Sequence, residues 1–160
     1  MRKIFLPLAL LAIFAISISS CTQDNSYDAQ PQASSNSLNA VINGSEWDAK
    51  YAGAVSTFNS VDGSTVLLIT GTTNIDASTN EAVAITVRNP IGINTYQISD
   101  TGANNGEFYY GKAGAKVHMA KSGSVTFTSF SLTHVAGYYT INTDSVNITS
   151  GAFSVDVVKQ

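Results

Sequence analysis

Apolar side chains from residue 39 onward mostly alternate with Ser, Thr and Asn, which is the two-residue period of a β-strand that buries one face. Residues 83–87, 96–98 and 153–157 show this alternation most clearly. No long stretch repeats its apolar residues at the spacing of an α-helix. The pattern therefore predicts an all-β fold for residues 39–160, as an antiparallel β-sandwich or a flattened barrel.

The dipeptide Asn43-Gly44 is typical of a two-residue hairpin turn, because both residues accept the positive φ angles that such a turn requires. A turn at this position places Ala40 opposite Trp47. Ile42, Ala40 and Trp47 then share one face of the hairpin. We expect this face to belong to the core.

A second dipeptide of this kind, Asp62-Gly63, predicts another tight hairpin. The strand that follows contains four consecutive apolar residues, 66–69, instead of an alternation. Such a run is typical of a central strand, either with both faces covered or with one face under a loop.

One strand in the second half of the chain changes phase. Val125 and Phe127 share one parity, whereas Phe130 and Leu132 share the other. One extra residue near Ser129 explains the change, because a single insertion moves every later side chain to the opposite face. We expect a β-bulge there, or a strand that crosses between two sheets.

The N-terminal residues have the layout of a secretory signal. Arg2 and Lys3 precede an apolar run, residues 4–18, that only Pro7 and Ser17 interrupt. As a helix this run reaches about 22 Å, which is short of the roughly 30 Å hydrocarbon core of a bilayer. The pattern predicts an exported protein without a permanent transmembrane helix.

The residues that follow this run, Ile18-Ser19-Ser20-Cys21, resemble the lipobox of bacterial lipoproteins. The resemblance implies that residues 1–20 are a lipoprotein signal peptide and that Cys21 carries a lipid, which anchors the chain to a membrane. The alternative is a stray cysteine beside an ordinary signal peptide, but Cys21 is the only cysteine in the chain. Thr22, in place of an aspartate, favours the outer membrane; its periplasmic face and the cell surface both remain open.

The segment after the cysteine is rich in Gln, Asn, Ser and Asp and has almost no apolar side chain to bury. We therefore interpret residues 21–38 as the acylated cysteine with a flexible tether. Residues 39–160 form the single β domain that it carries.

Charge and composition exclude several partners. Only 12% of the residues are charged, and removal of Arg2 and Lys3 with the signal peptide leaves six basic residues against 11 acidic ones. A negative protein without a strong basic patch is not expected to bind nucleic acid. With a single cysteine, no multi-cysteine zinc site can form, and no motif indicates a cofactor.

Catalytic and metal motifs are absent from the sequence. His118 and His134 do not have the spacing of paired metal ligands, and alternation with Val117 and Met119 predicts that His118 faces solvent. A serine and an aspartate could still meet His134 in space, which keeps a hydrolase as an alternative. Oxygen side chains within residues 74–81 resemble a calcium loop only faintly, since the central glycine and the final bidentate acid are missing. We assign no catalytic residue and no metal ligand.

Two tyrosine pairs are the candidate ligand contacts. They are Tyr109-Tyr110 and Tyr138-Tyr139. Because neighbours on a strand point to opposite faces, one tyrosine of each pair is expected to be partly exposed. An exposed tyrosine can stack on a sugar ring, although an ordinary cross-strand pair explains the same pattern.

Three short segments carry a resemblance to a known group of proteins. They are Val-Ile-Asn-Gly-Ser-Glu-Trp-Asp-Ala at 41–49, Asn-Thr-Tyr-Gln-Ile at 94–98 and Ile-Thr-Ser-Gly-Ala-Phe-Ser-Val at 148–155. Together they resemble a family of small β-rich lipoproteins from the Bacteroidota that has no assigned function. The resemblance implies an envelope lipoprotein and supplies no catalytic residue. Asp144-Ser145-Val146 also resembles the O-glycosylation site used in that phylum, which makes Ser145 a candidate for modification.

These observations favour a lipid-anchored envelope protein with a non-enzymatic β domain that binds an envelope component or a glycan. One alternative is a structural or assembly partner of a larger outer-membrane protein. The other is a hydrolase.

Overall fold

A computed structural model describes residues 36–76, 78–100 and 106–160, without the side chain of Thr149. The predicted signal peptide, Cys21 and most of the predicted tether lie outside these residues. Within the described ranges all regular structure is β, which confirms the all-β prediction. No helix there is long and apolar enough to cross a membrane.

The described chain forms eleven strands. They are β1 (Ser37–Ile42), β2 (Ser45–Asp48), β3 (Tyr51–Asn59), β4 (Ser64–Thr72), β5 (Glu81–Arg88), β6 (Thr95–Ser99), β7 (Gly106–Lys112), β8 (His118–Met119), β9 (Ser122–Phe130), β10 (His134–Asn142) and β11 (Asn147–Lys159). β1 begins two residues before the predicted start of the domain, and Leu38, assigned above to the tether, is a core residue that is 1% exposed.

The strands form one continuous sheet that closes into a barrel. The hydrogen-bonded order is β10-β9-β6-β7-β5-β4-β3-β11, and the circuit closes because β10 also pairs with β11. β11 is long enough to pair first with β1 and then, at its C-terminal end, with β3. The β1–β2 hairpin extends the sheet from β11. A closed barrel leaves few strand edges exposed to other chains.

The predicted flattened barrel is therefore confirmed, but the sheet is mixed rather than wholly antiparallel. β11 runs parallel to β3 over residues 157–159, and β6 runs parallel to β7 at one residue pair. All other pairings among the described strands are antiparallel.

Alternation places one apolar row of each strand inside the barrel. Val83, Ile85 and Val87 of β5 have no exposed surface, and Tyr96 and Ile98 of β6 are at most 4% exposed. Burial of such rows supplies the main driving force for folding, at roughly 25 cal/mol for each Å² of apolar surface removed from water.

The first hairpin has the predicted geometry. Asn43 and Gly44 both have positive φ, at 52° and 79°. Ala40 pairs with Trp47 as expected. Ile42, Ala40 and Trp47 are all buried, which confirms that this face belongs to the core.

The second hairpin differs from the prediction. β3 and β4 pair as far as Asn59 and Ser64, so four residues connect them instead of two. Only Gly63 has a positive φ in this loop. Its N–H donates to the Asn59 carbonyl over 2.9 Å, and the Ser64 N–H donates to Asp62 Oδ1. The Asp-Gly pair thus ends a wider turn, because the aspartate carboxylate organises the loop locally.

β4 is a central strand, as predicted, since it pairs with β3 and β5. Leu67 and Ile69 are buried, but Leu68 is 37% exposed on the outer wall. The expectation that both faces are covered was therefore wrong.

The predicted β-bulge is present in β9. Ser129 pairs with Ala136, and Phe127 pairs with Gly137, so Thr128 is the extra residue. Phe130 accordingly packs against the core, whereas Leu132 lies beyond the strand and is exposed.

Candidate binding site at the mouth of the barrel

One end of the barrel is formed where β3, β5, β9 and β11 end. Loops 60–63, 89–94 and 131–133 lie at this end, which we call the mouth. The opposite end, where the loops after β4 and β10 lie, is called the far end.

Small inward-facing side chains lie near the mouth on two adjacent strands. They are Ala54 and Ser56 on β3 and Thr65, which follows Leu67 toward the mouth, on β4. Because Ser and Thr fill little volume, the packed interior stops at the level of Leu67, which is 2% exposed. A cavity of about 320 Å³ lies above it.

This mouth cavity is lined mainly by apolar side chains. Leu67 and Val135 form its floor, since both are almost fully buried, and Phe130 and Val157 are partly buried walls. The full lining consists of the apolar residues Leu67, Pro90, Ile91, Phe130, Leu132, Val135 and Val157 and the polar residues Ser56, Thr65, Asn89, Ser131 and Lys159. An apolar cavity with a few polar groups is typical of small-molecule sites, which span roughly 300–1,000 Å³.

Hydrogen bonds hold the loop 89–94 in place over the cavity. The Tyr96 hydroxyl accepts from the Ile91 N–H over 2.8 Å and donates to the Gly92 carbonyl. Asn89 and Thr65 are joined twice, because the Thr65 N–H donates to Asn89 Oδ1 and the Asn89 N–H donates to the Thr65 carbonyl. The cavity therefore needs little ordering before a ligand binds.

The loop 131–133 is held in the same way on the other side. Ser131 Oγ accepts from the His134 N–H and donates to the His134 carbonyl, each over 2.9 Å. The Val157 N–H donates to the Thr133 carbonyl. This second set of bonds fixes the position of Leu132 beside the cavity.

Lys159 is the one charged side chain in the lining of the mouth cavity. It is exposed, so its ammonium group remains hydrated while it faces a bound molecule. An anionic or strongly polar head group at the cavity entrance would lie beside this positive charge. The lining thus fits an amphipathic molecule, with its apolar part on Leu67 and Val135.

None of the predicted ligand-contact, modification or catalytic residues lines the mouth cavity. One signal in the sequence could have indicated it, namely Pro90-Ile91-Gly92-Ile93. Proline and glycine mark this segment as a loop, yet it carries two large apolar side chains that no strand buries.

A serine, a histidine and an aspartate do meet, but on the outer wall. His134 Nδ1 lies 3.1 Å from Asp156 Oδ1, and His134 Nε2 lies 3.1 Å from Ser154 Oγ. Because a carboxylate only accepts, Nδ1–H donates to Asp156, which leaves Nε2 of the neutral ring to accept from the serine. The hydrogen bond from His134 Nδ1 lowers the pKa of Asp156, and a hydrogen bond with Asn36 lowers it further.

The surroundings of this trio do not favour acyl transfer. Ser154 and Asp156 alternate with the buried Phe153 and Val155, so they point away from the barrel interior and from the mouth cavity. Ser154 pairs with β1 on one side and with β10 on the other, so its backbone is used in the sheet. Backbone N–H groups that bond within a sheet are not free to stabilise the oxyanion formed in ester hydrolysis.

The four candidate tyrosines are divided by the wall of the barrel. Tyr110 is 8% exposed and Tyr139 is 1% exposed, so a ligand on the outer surface cannot reach Tyr139. Tyr109 and Tyr138 are partly exposed, which confirms that one of each pair has a solvent-facing ring. They lie on β7 and β10, with β6 and β9 between them. Three strand spacings alone separate the two strands by about 14 Å. They do not form one aromatic platform.

The far end contains the predicted glycosylation site and His118, whose predicted orientation the structure contradicts. His118 pairs directly with Tyr110 and therefore shares its inward face, with the two rings stacked at 6.1 Å. Val117 and Met119 are the exposed neighbours, so the expectation that His118 faces solvent was wrong. Ser145 is exposed beside it, with Oγ 2.7 Å from His118 Nδ1; its glycosylation stays a prediction.

The oxygen side chains after β4 organise their own loop. Asp76 Oδ1 accepts from the N–H and the hydroxyl of Ser78, and these bonds lower the pKa of Asp76. Asn74 Oδ1 accepts from the Asp76 N–H, and Asn80 Oδ1 accepts from the Asn74 N–H. In the part of the chain that the structure describes, no three His, Cys, Asp or Glu side chains are grouped to hold a metal ion.

No family model, curated protein or solved structure matches this chain. The geometry of the mouth cavity is therefore the main basis for a functional argument.

Proposed function

We propose that this protein is a lipid-anchored envelope protein whose barrel is a non-enzymatic binding module for an amphipathic envelope component. The observation that carries the proposal is the preformed apolar mouth cavity with Lys159 in its lining. Apolar groups of a ligand would replace water against Leu67 and Val135, which is favourable in proportion to the area buried.

The chemistry of the lining defines the ligand class. An acyl or isoprenoid segment fits a cavity whose floor and walls are aliphatic or phenyl groups, and a phosphate or carboxylate fits the ammonium group of Lys159. Lipids and lipid-linked molecules of the cell envelope combine these two features.

The anchor is proposed from the sequence. Cys21 lies where a lipobox places the acylated cysteine, and the two or three acyl chains of a bacterial lipoprotein give stable membrane attachment. We place the protein at the outer membrane, as in the Bacteroidota lipoproteins that it resembles, with the periplasmic face and the cell surface as alternatives.

Two other binding functions have weaker support. A glycan site usually needs aromatic faces grouped in one exposed place, and Tyr109 and Tyr138 are separated by two strands. Assembly with a larger outer-membrane protein would draw on the exposed apolar side chains around the mouth, such as Ile91 and Leu132.

A hydrolase is the second candidate from a different class, and the contacts among Ser154, His134 and Asp156 favour it. The test is hydrolysis of short-chain p-nitrophenyl esters by the wild-type protein and by Ser154→Ala and His134→Ala variants. Turnover that both substitutions abolish would support the hydrolase and contradict the non-enzymatic proposal.

The binding proposal is tested with residues 22–160, produced without the acyl anchor, and a fluorescent fatty acid as the probe. We expect saturable binding to the wild-type protein. Ser56→Phe places a phenyl ring in the mouth cavity and should weaken binding at least tenfold. Thr57→Phe is the matched control, because Thr57 is the next residue of β3 and is exposed on the other face.

A second variant separates a blocked cavity from a damaged fold. Lys159→Glu leaves the apolar lining intact and should weaken binding of the fatty acid but not of the corresponding fatty alcohol. Equal binding by the wild-type protein, Ser56→Phe and Lys159→Glu would contradict the assignment of the mouth as the site.

A further inference from the structure

Large apolar side chains are exposed around the mouth. Five of them lie at the end of β3 and in the three loops of the mouth, and we call this set the apolar rim. Its members and their exposed fractions are Phe58 62%, Val61 93%, Ile91 80%, Ile93 70% and Leu132 70%. Soluble proteins seldom expose several large apolar side chains together unless the surface contacts another apolar phase.

The chain enters the barrel in the same half. β1 begins at Ser37 and runs antiparallel to β11, whose C-terminal end lies at the mouth. Asn36 Oδ1 accepts from the Asp156 N–H over 3.0 Å. Asp156 in turn pairs with His134, the residue that follows the loop of Leu132. The predicted tether is thus attached near the mouth and not at the far end.

The lengths of the tether and the barrel favour one orientation. Fourteen residues lie between Cys21 and Asn36, and a polar tether of this length has a root-mean-square span of roughly 20 Å. A nine-residue strand such as β4 is about 30 Å long. The mouth therefore lies within the typical reach of an anchored tether, whereas the far end lies beyond it.

We propose that the apolar rim inserts into the interfacial region of the membrane that carries the anchor, so that the mouth cavity opens onto lipid. This inference rests on the proposed acylation of Cys21 and deepens the proposed function, since the ligand would enter the cavity from the bilayer. Val61 and Leu132 lie in loops beyond the strands and can reach below the head groups, and Phe58 lies beside them near the end of β3. Their polar neighbours, such as Asp62, limit the depth to the interface.

The test uses the full acylated chain in vesicles of phosphatidylethanolamine and phosphatidylglycerol. Because acylation consumes the thiol of Cys21, Val61→Cys or Ile75→Cys supplies the only free thiol for a bimane label. Ile75 is the matched control, since it is 80% exposed in the loop after β4, at the far end. Quenching by doxyl-labelled lipids reports how close each label lies to the acyl chains.

We expect strong quenching and a blue-shifted emission for the label at residue 61, at least threefold more quenching than for the label at residue 75. Equal quenching at the two positions, or more at residue 75, would overturn the inference. A Val61→Cys/Ile93→Asp/Leu132→Asp variant should lose most of the quenching at residue 61, and unchanged quenching would also count against insertion of the rim.

Vesicle flotation separates this inference from the proposals on which it rests. A chain that floats but shows no preferential quenching at residue 61 retains the anchor and refutes the orientation. A chain that does not float refutes the anchor, and the orientation fails with it. Binding of the fatty-acid probe by the unanchored protein is measured independently of both outcomes.

Discussion

At the scale of single residues, Gly151 occupies a position in the barrel that has no room for a side chain. A Cβ atom at this position would lie within the ring of Tyr139, whose Oη would be only 2.5 Å away. Tyr139 cannot move aside easily, because it is 1% exposed and its hydroxyl donates to the Asn39 carbonyl over 3.0 Å. Only glycine leaves room for this ring.

We predict that Gly151→Ala lowers the free energy of unfolding by about 1–3 kcal/mol or more, because overpacked cores must distort. Gly53→Ala is the control, since a Cβ atom at residue 53 has no neighbour within 4 Å. This control should be neutral or stabilising by about 0.5 kcal/mol. Urea denaturation measures the free energy of unfolding of both variants. Equal losses of stability would contradict the packing of Tyr139 against Gly151.

Asp156 gives a prediction about pH. Its pKa is lowered by the hydrogen bond from His134 and then by a hydrogen bond with Asn36. A carboxylate with a lowered folded-state pKa contributes stability above its unfolded pKa, near 3.9, and loses that contribution as the pH falls through the folded-state value.

We therefore expect Asp156→Asn to be less stable than the wild-type protein at pH 6, with a difference that shrinks as the pH falls below about 4. In His134→Ala, the carboxyl pKa of Asp156, followed by NMR, should rise toward its ordinary value. A stability difference independent of pH, or an unchanged pKa in His134→Ala, would show that the contact with His134 has no energetic effect.

Single residues could be predicted where local chemistry decides their place. Asn43-Gly44 specified its turn and the burial of Trp47, because the turn type fixes the pairing of both strands. His118 was predicted on the wrong face because β8 has only two residues. The orientation of so short a strand is set by its pairing with Tyr110, which alternation cannot reveal.

At the scale of strands, β11 connects the two halves of the barrel. Its first part pairs with β1 and β10, and its last three residues pair in parallel with β3. The Gln160 N–H extends this seam by donating to the Ser56 carbonyl over 3.1 Å. Since Ser56 and Lys159 both line the mouth cavity, the seam also shapes the proposed binding site.

We predict that Val158→Pro opens this seam, because proline lacks an N–H and is poorly tolerated within a sheet. The expected loss of stability is about 1–3 kcal/mol, because a partner in the ladder is left without its hydrogen bond, and amide exchange should accelerate first in residues 54–56. Val158→Thr keeps the N–H and the β-branched shape and serves as the control. Unchanged exchange in β3 would contradict the role of this seam in closing the barrel.

Strand positions could be predicted better than strand partners. The inward rows of β5 and β6 and the bulge in β9 are visible in the sequence, because each depends on alternation within one segment. The parallel contact of β3 with β11 joins residues about 100 positions apart, and no periodicity within either segment encodes it. The four-residue loop after Asn59 differs from the predicted two-residue turn, because Asp62 organises it through a side-chain hydrogen bond.

At the scale of the whole molecule, the proposed attachment to a membrane depends on one side chain. The chain contains a single cysteine, at residue 21, outside the residues that the structure describes. We predict that metabolic labelling with radioactive palmitate marks the wild-type protein and leaves Cys21→Ala unlabelled. Cell fractionation should move Cys21→Ala out of the membrane fraction. Label that persists in Cys21→Ala would contradict the assigned anchor.

The candidate site could not be predicted from the sequence, since it exists only in the closed barrel. Ser56, Val135 and Lys159 are unremarkable within their own segments, and the cavity forms because small inward side chains from distant strands coincide at one end. The tyrosine pairs are a local pattern in the sequence, but the wall of the barrel separates the two members of each pair.

Native mass spectrometry of the protein isolated from the cells that naturally produce it is the sharpest test of ligand binding in the mouth cavity. We predict that a small amphipathic molecule remains bound to the wild-type protein and to Thr57→Phe, as a defined mass in addition to the proposed covalent lipid, and is absent from Ser56→Phe. A wild-type protein that carries no such mass, or an equal occupancy in Ser56→Phe, would contradict the assignment of the mouth as a binding site.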